Sequence, residues 1–294
     1  MFELKPLSRE AIPAALAKAE RYRLLNESAM AESICEDILG ADAGNQQALV
    51  MLILALSDQF RDYPTEVGEG MVVLDAVHQI QAELAGDLAA RWNCKAGKCG
   101  SCSAEINGRP RLMCMTRLDD LPLDEPVVLE PMRTFPLIRD LVTDVSWNFT
   151  VKNTIQPFAP RPPDAVDGTW RMKQADIERV QEFRKCIECF LCQDVCHVLR
   201  DHHHHADFIG PRFLLYSAAL EMHPLDTRDR VADLKQKNGV GYCNITKCCT
   251  RVCPEDIAIT DNAIIPLKER VVDRFYDPIK RLLRVFQPGS AATE

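Results

Sequence analysis

Two runs of cysteine share one ruler and limit what this chain can be. CIECFLCQDVCH, from Cys186 to His197, spaces four cysteines by two, two and three residues: Cys186, Cys189, Cys192 and Cys196. CNITKCCTRVCP, from Cys243 to Pro254, repeats the spacing with one substitution, giving Cys243, Thr246, Cys249 and Cys253, while Cys248 stands off the ruler. This is the bacterial ferredoxin pattern, in which three cysteines hold one iron–sulfur cluster and the fourth reaches over to the other. Applied here, the exchange gives one cluster Cys186, Cys189, Cys192 and Cys253. The other receives Cys196, Cys243 and Cys249, with Thr246 at the vacant corner. A corner iron without thiolate is easily lost and a hydroxyl is a hard, weak donor to it, so a [3Fe–4S] cluster is expected there. Cys248, beside a ligand and out of register, is expected to project away; the alternative is that it bends inward and completes a four-iron cube.

A third constellation, WNCKAGKCGSCSAEINGRPRLMC, places Cys94, Cys99 and Cys102 at spacings of four and two, followed by Cys114. That is the plant-type [2Fe–2S] spacing. Gly97 and Gly100 suit a loop whose backbone turns sharply against the cluster. A zinc knot is the competing reading, because Cys99-x2-Cys102 alone would suit zinc. Eleven of the 13 cysteines are then ligands, leaving Cys35, a small core residue, and Cys248.

The N-terminal MFELKPLSRE has neither the basic start nor the apolar run of a secretory signal, so clustered cysteines point to metal rather than disulfides. ALVMLILAL falls far short of the roughly 20 residues needed to cross a bilayer. A net charge of −8 and a pI near 5.5 leave no basic face for nucleic acid.

The 294 residues divide by pattern into three segments. Residues 1–60 read as helices with breaks at Asn26-Glu27-Ser28 and at 41–45; a repeat that aligns Ala14 with Ala48 resembles a partial tetratricopeptide repeat, with a plain helical hairpin as the alternative. Residues 61–156 read as β pieces, YPTEV, SAEI and VVLEP, around the helix MVVLDAVHQIQAEL, with Asn107-Gly108 marking a hairpin. Pro157, Pro160, Pro162 and Pro163 mark a linker, and residues 157–294 read as helices carrying the two cysteine runs, ending in a basic amphipathic DPIKRLLRVF. His202 to His205 read as a solvated loop; His78 and His223 read as structural.

RWNCKAGKCGSCSAEING, RLMCM, RKCIECFLCQDVCH, FIGPRFL, YCNITKCCTRVCP and ITDNAIIPLKERV together resemble the iron–sulfur subunit of succinate dehydrogenase and fumarate reductase over about residues 61–285. The resemblance implies an α+β chain: a β-grasp [2Fe–2S] domain, then an all-α helical ferredoxin domain with [4Fe–4S] and [3Fe–4S] clusters. Its cluster ligands coincide with the sets named above. It also implies a FAD-containing flavoprotein partner acting on succinate or fumarate. The other implied partner is a membrane anchor with quinone, which would hold this spanless chain at the cytoplasmic face of the plasma membrane. The chain itself would carry electrons and perform no dicarboxylate chemistry. It departs from the family at His197 and at Arg200-Asp201, where many members have a proline and a tryptophan, so quinone contacts do not carry over. Only YPTEV stands where the family's ferredoxin domain opens with two strands. The rival readings are the electron-transfer subunit of a heterodisulfide or thiol-linked fumarate reductase and a non-redox zinc adaptor.

Overall fold

The computed structural model describes residues 7–25, 27–59, 61–122 and 124–277. Its contacts divide the chain once, into Met1–Thr65 and Glu66–Glu294. Among the described residues no helix is long and apolar enough to cross a membrane.

The first unit consists of helices α1 (Ile12–Leu24), α2 (Ser28–Ala41) and α3 (Gln46–Gln59). α2 packs against both neighbours. The close approach is made by small buried side chains, Ala19, Ala31, Cys35 and Ala55, with a second patch of Ile12, Ile38 and Ala48. Asn45 accepts the Ala48 N–H at 3.0 Å and so caps the start of α3.

The second unit begins with α4 (Val73–Glu83), whose entry is fixed by Asp75 accepting the Val72 N–H at 3.2 Å. Strands β1 (Ser103–Ile106) and β2 (Arg109–Leu112) form the expected hairpin. Asn107 and Gly108, at φ of 49° and 69°, both adopt the left-handed conformation that a two-residue turn of this hand requires. β3 (Leu129–Glu130) pairs antiparallel with β1, giving the order β2-β1-β3; β4 (Leu137–Arg139) and β5 (Val142–Thr143) form a separate antiparallel pair. Val73, Leu74 and Val77 of α4 pack on Ala104, Ile106 and Leu112. YPTEV, expected as a strand, is irregular. Pro64 removes a ladder donor there, and the glycines at 68 and 70 follow at once.

After α5 (Ser146–Thr154), the proline segment is strapped down rather than loose. Arg230, 1% exposed, donates to the carbonyls of Gln156 and Pro157 at 2.9 Å each and pairs with Asp226 at 2.8 Å. The remaining α-helices are α6 (Gln174–Gln181), α7 (Leu191–Asp194), α8 (His197–Arg200), α9 (Gly210–Glu221), α10 (Val231–Gln236), α11 (Cys248–Arg251) and α12 (Ile265–Phe275), the last entered by a π-helical turn at Ile259–Ile264. Phe208, Phe213, Leu214, Leu234, Ile259 and Leu267 lie in the core that these helices share. All but the first residue of DPIKRLLRVF lie outside the described residues.

Candidate metal centres

The loop before β1 holds Cys94, Cys99 and Cys102, and Cys114 follows β2. The N–H groups of Ala96 and Lys98 point at Cys94 Sγ, at 3.4 and 3.3 Å, and that of Ser101 at Cys99 Sγ, at 3.5 Å. Such donors favour sulfur in its charged form. Burial opposes ionisation of Cys99, but hydrogen bonds from Ser101 and Cys94 outweigh it and bring the thiol down to about 6. Cys102 shares the sheet core and burial pushes it up to about 12, with the neighbouring Cys114 and Cys99 side chains adding to it. Gly97 and Gly100 have φ of 66° and 68°. At Gly100 the need is twofold: a Cβ would stand 2.6 Å from Cys189 Cα, so glycine also permits this loop to touch the next cysteine run.

Cys186, Cys189, Cys192 and Cys253 line one cavity, together with Arg212 and apolar walls such as Phe190, Leu215 and Ile257. Three of these thiols come from the first run and one from the second. Burial pushes Cys189 up to about 12, with Cys186 and Cys253 adding to it; Cys192 is raised by burial, then by Cys189 and Cys186. Four soft sulfurs in an apolar hollow can be charged together only if positive charge enters with them, which an iron–sulfur cluster supplies.

The second run repeats the backbone of the first. Glu188 and Phe190, at φ of 55° and 62°, flank Cys189, and Ile245 and Lys247, at 63° and 61°, flank Thr246. Each pair leads into a short helix, α7 or α11, so Thr246 occupies the backbone position that Cys189 holds in the first run. Burial pushes Cys196 up to about 11, with Cys248 and Cys243 adding to it. Cys249 hydrogen-bonds to Thr260 at 3.3 Å and has Cys248 and Cys192 nearby. Cys248 does not project away: Thr246 Oγ1 donates to its sulfur at 3.3 Å. As the first residue of α11 after left-handed Lys247, its side chain folds back over the preceding loop.

Arg200, at a position where the family resemblance would put a quinone contact, instead turns inward. It pairs at 2.9 Å with Glu105 of β1, a carboxylate 0% exposed that also meets Arg133 at 3.4 Å. Burial, with Glu105 adding to it, raises Asp194 of α7 to about 7, and Asp194 accepts the Thr134 N–H at 3.0 Å. These contacts fasten run one to the sheet; a charged residue in the middle of SAEI is their only trace in the sequence. Arg212, in the cavity wall, has no signal of its own within FIGPRFL. His197 lies 2.8 Å from Asn244. His202 and His203 are exposed as expected, whereas His205 packs on Trp147 and reaches the Thr134 carbonyl at 3.1 Å.

Residues 55–150 match a family model described as a 2Fe-2S iron-sulfur cluster binding domain, and residues 182–257 match a 4Fe-4S dicluster domain. The chain is 36% identical to a fumarate reductase iron-sulfur subunit of Mycobacterium tuberculosis, over 67% of its own length and 80% of that protein. It is 32% identical to the corresponding subunit of Haemophilus influenzae, over 68% and 83%. A subunit of the fumarate reductase (CoM/CoB) of Methanothermobacter marburgensis is 31% identical over 70% of this chain, and the match takes in only 39% of that longer protein. Among solved structures, a chain of the Mycobacterium smegmatis Sdh1 complex in the apo form matches with a TM-score of 0.72 and 63% identity, covering 74% of this chain and 92% of that one.

Proposed function

The chain belongs to the iron–sulfur subunits of the fumarate reductase and succinate dehydrogenase family, and from that premise we propose which residues carry its electrons. As a member of that family it is an electron-transfer subunit of an oxidoreductase complex, with [2Fe–2S], [4Fe–4S] and [3Fe–4S] clusters. Cys94, Cys99, Cys102 and Cys114 hold the first. Cys186, Cys189, Cys192 and Cys253 hold the second. Cys196, Cys243 and Cys249 hold the third, with Thr246 at its open corner. The observation that carries this reading is the shared cavity of Cys186, Cys189, Cys192 and Cys253, which joins residues of both runs around one hollow.

The clusters supply one-electron chemistry. The protein's part is to hold the thiolates, aim N–H groups at sulfur, and set the sites in file. Gly100 against Cys189 joins the first site to the second, and Ser103 Oγ ties the two loops by donating to the Cys189 carbonyl at 2.8 Å and the Gly100 carbonyl at 3.0 Å. Cys192 and Cys249 bring the second site beside the third. The architecture we assign is a β-grasp domain over residues 61–156 and a helical ferredoxin domain over 157–294, preceded by the helices of 1–60. Its partners are a FAD-containing flavoprotein and a quinone-binding membrane anchor, which keep it at the cytoplasmic face of the membrane. The methanogen relative favours a second reading, in which the electrons are exchanged with thiols.

Electron paramagnetic resonance of the anaerobically purified chain tests the assignment. The oxidised protein should give the near-isotropic signal of a three-iron centre, and the reduced protein that of a two-iron centre. Colourless protein containing zinc would sink the reading. Restoration of succinate–quinone electron transfer on adding the flavoprotein and anchor separates the first reading from the thiol-linked one.

A further inference from the structure

Among the described residues, Arg212 is the one cation in the wall of the cavity shared by Cys186, Cys189, Cys192 and Cys253. It is 5% exposed, near the start of α9. Its Nη2 is held at 2.6 Å by Glu188, which lies between two of the cysteines and is also bonded by Lys152 at 2.6 Å. The guanidinium carbon lies 5.5 Å from the Tyr216 ring centre and 5.7 Å from that of Phe213, so aromatic faces fix its plane. Arg212 Nε is buried and has no hydrogen-bond partner in the protein. A buried donor left unmade is costly, so this atom calls for an acceptor in the hollow it borders. The occupant that four thiols demand brings sulfur acceptors.

Resting on the ligand assignment above, we propose that Arg212 sets the reduction potential of the four-iron centre, with Glu188 as its positioning residue. Its Nε–H is given to a cluster or cysteine sulfur, and Glu188 holds the fork in that orientation. The planar, pinned guanidinium can serve Glu188 with one nitrogen and the sulfur with another, which a lysine ammonium cannot reproduce in the same geometry. Arg212 and Lys152 bring two positive charges against the negative charge of Glu188, and Glu255, the acid in the wall, is paired with Lys98 at 2.9 Å, leaving one net positive charge beside the site. Reduction adds an electron to an anionic cluster, and both a positive charge and a hydrogen bond to sulfur favour the reduced state. The cation therefore holds the potential up.

The test is a redox titration of the assembled complex, followed by the paramagnetic resonance of each centre. Arg212→Gln should lower the midpoint of the four-iron centre by at least tenfold in its reduction equilibrium, which is about 59 mV for a one-electron couple. The two-iron midpoint should stay in place. Arg212→Lys, retaining charge without the fork, should fall by less. Glu188→Gln removes the negative charge and should move the midpoint the opposite way, upward, which a purely structural role would not produce. An unmoved midpoint in Arg212→Gln with the centre intact overturns the proposal, and so does a fall in Glu188→Gln. Should Arg212→Gln strip the centre, the signs of the Arg212→Lys and Glu188→Gln shifts decide. Absence of a four-iron signal in the unmodified chain is a different failure, that of the ligand assignment.

Discussion

The two cysteine runs follow the same backbone course but sit in different surroundings. Run one is roofed by the loop of Cys94, Cys99 and Cys102: Cys189 is 8% exposed, Gly100 abuts it, and Glu105, Arg200 and Asp194 close the seam beside it. Run two opens outward, with Tyr242, Asn244, Ile245, Thr246 and Lys247 all exposed. A pair of left-handed residues makes the loop in both cases, so the loop geometry does not depend on the thiol it presents. What differs is the cover. The buried copy keeps its full thiol set, and the open copy carries threonine in place of one thiol.

The sharpest break of this comparison exchanges the two equivalent positions. Cys189→Ser should abolish the four-iron centre while the two-iron signal persists, because the latter's ligands lie in a separate loop. Thr246→Ser should leave every centre intact. Iron and sulfide analysis with resonance spectra of both variants reads this out, and equal loss of iron from the two would show that Thr246 is more than a vacant corner.

Next in size, Thr246→Cys gives run two the missing thiol. The centre should accept a fourth iron, and the oxidised near-isotropic signal should weaken or vanish. Retention of the full three-iron signal would mean that the open corner is set by something other than the missing ligand.

Removing the cover is a smaller change. Arg200→Met leaves Glu105 buried beside Asp194 with the longer contact to Arg133 as its remaining ion pair, and should lower unfolding stability by about 3 kcal/mol, the low end for breaking a buried pair. Asn244→Ala, on the open run, should cost no more than about 0.5 kcal/mol, as for an exposed site. Denaturant unfolding of the two variants compares them directly; similar losses would erase the distinction between roofed and open runs.

The smallest effect is expected from Cys248→Ser. If three thiolates complete the third centre, its oxidised signal should be unchanged. Cys248 nevertheless touches Thr246 and neighbours Cys196. Appearance of a three-iron signal only in the serine variant would identify Cys248 as a fourth ligand.

Much of the candidate site is legible in the residues. Metal-cluster chemistry needs particular donors at particular spacings along a short loop, so the ruler from Cys186 to Cys253 already suggests the exchange of fourth ligands on which the proposal rests. The Asn107-Gly108 hairpin is legible for the same local reason: only residues tolerant of positive φ make that turn. YPTEV misleads because its strand-like composition is outweighed by Pro64 and the glycines that follow.

The amino-acid sequence alone thus determined the spacing of the donors, the turn chemistry and the missing thiol at Thr246, all of which depend on residues a few positions apart. Only the tertiary structure decided that Arg212 borders the four-cysteine hollow, that Arg200 serves Glu105, that Arg230 straps the proline segment, and that Cys248 folds back onto Thr246. The reason is physical. A long charged side chain can go to solvent or inward from the same sequence, and the choice is made by which distant carboxylate or carbonyl the packed chain leaves unpaired beside it.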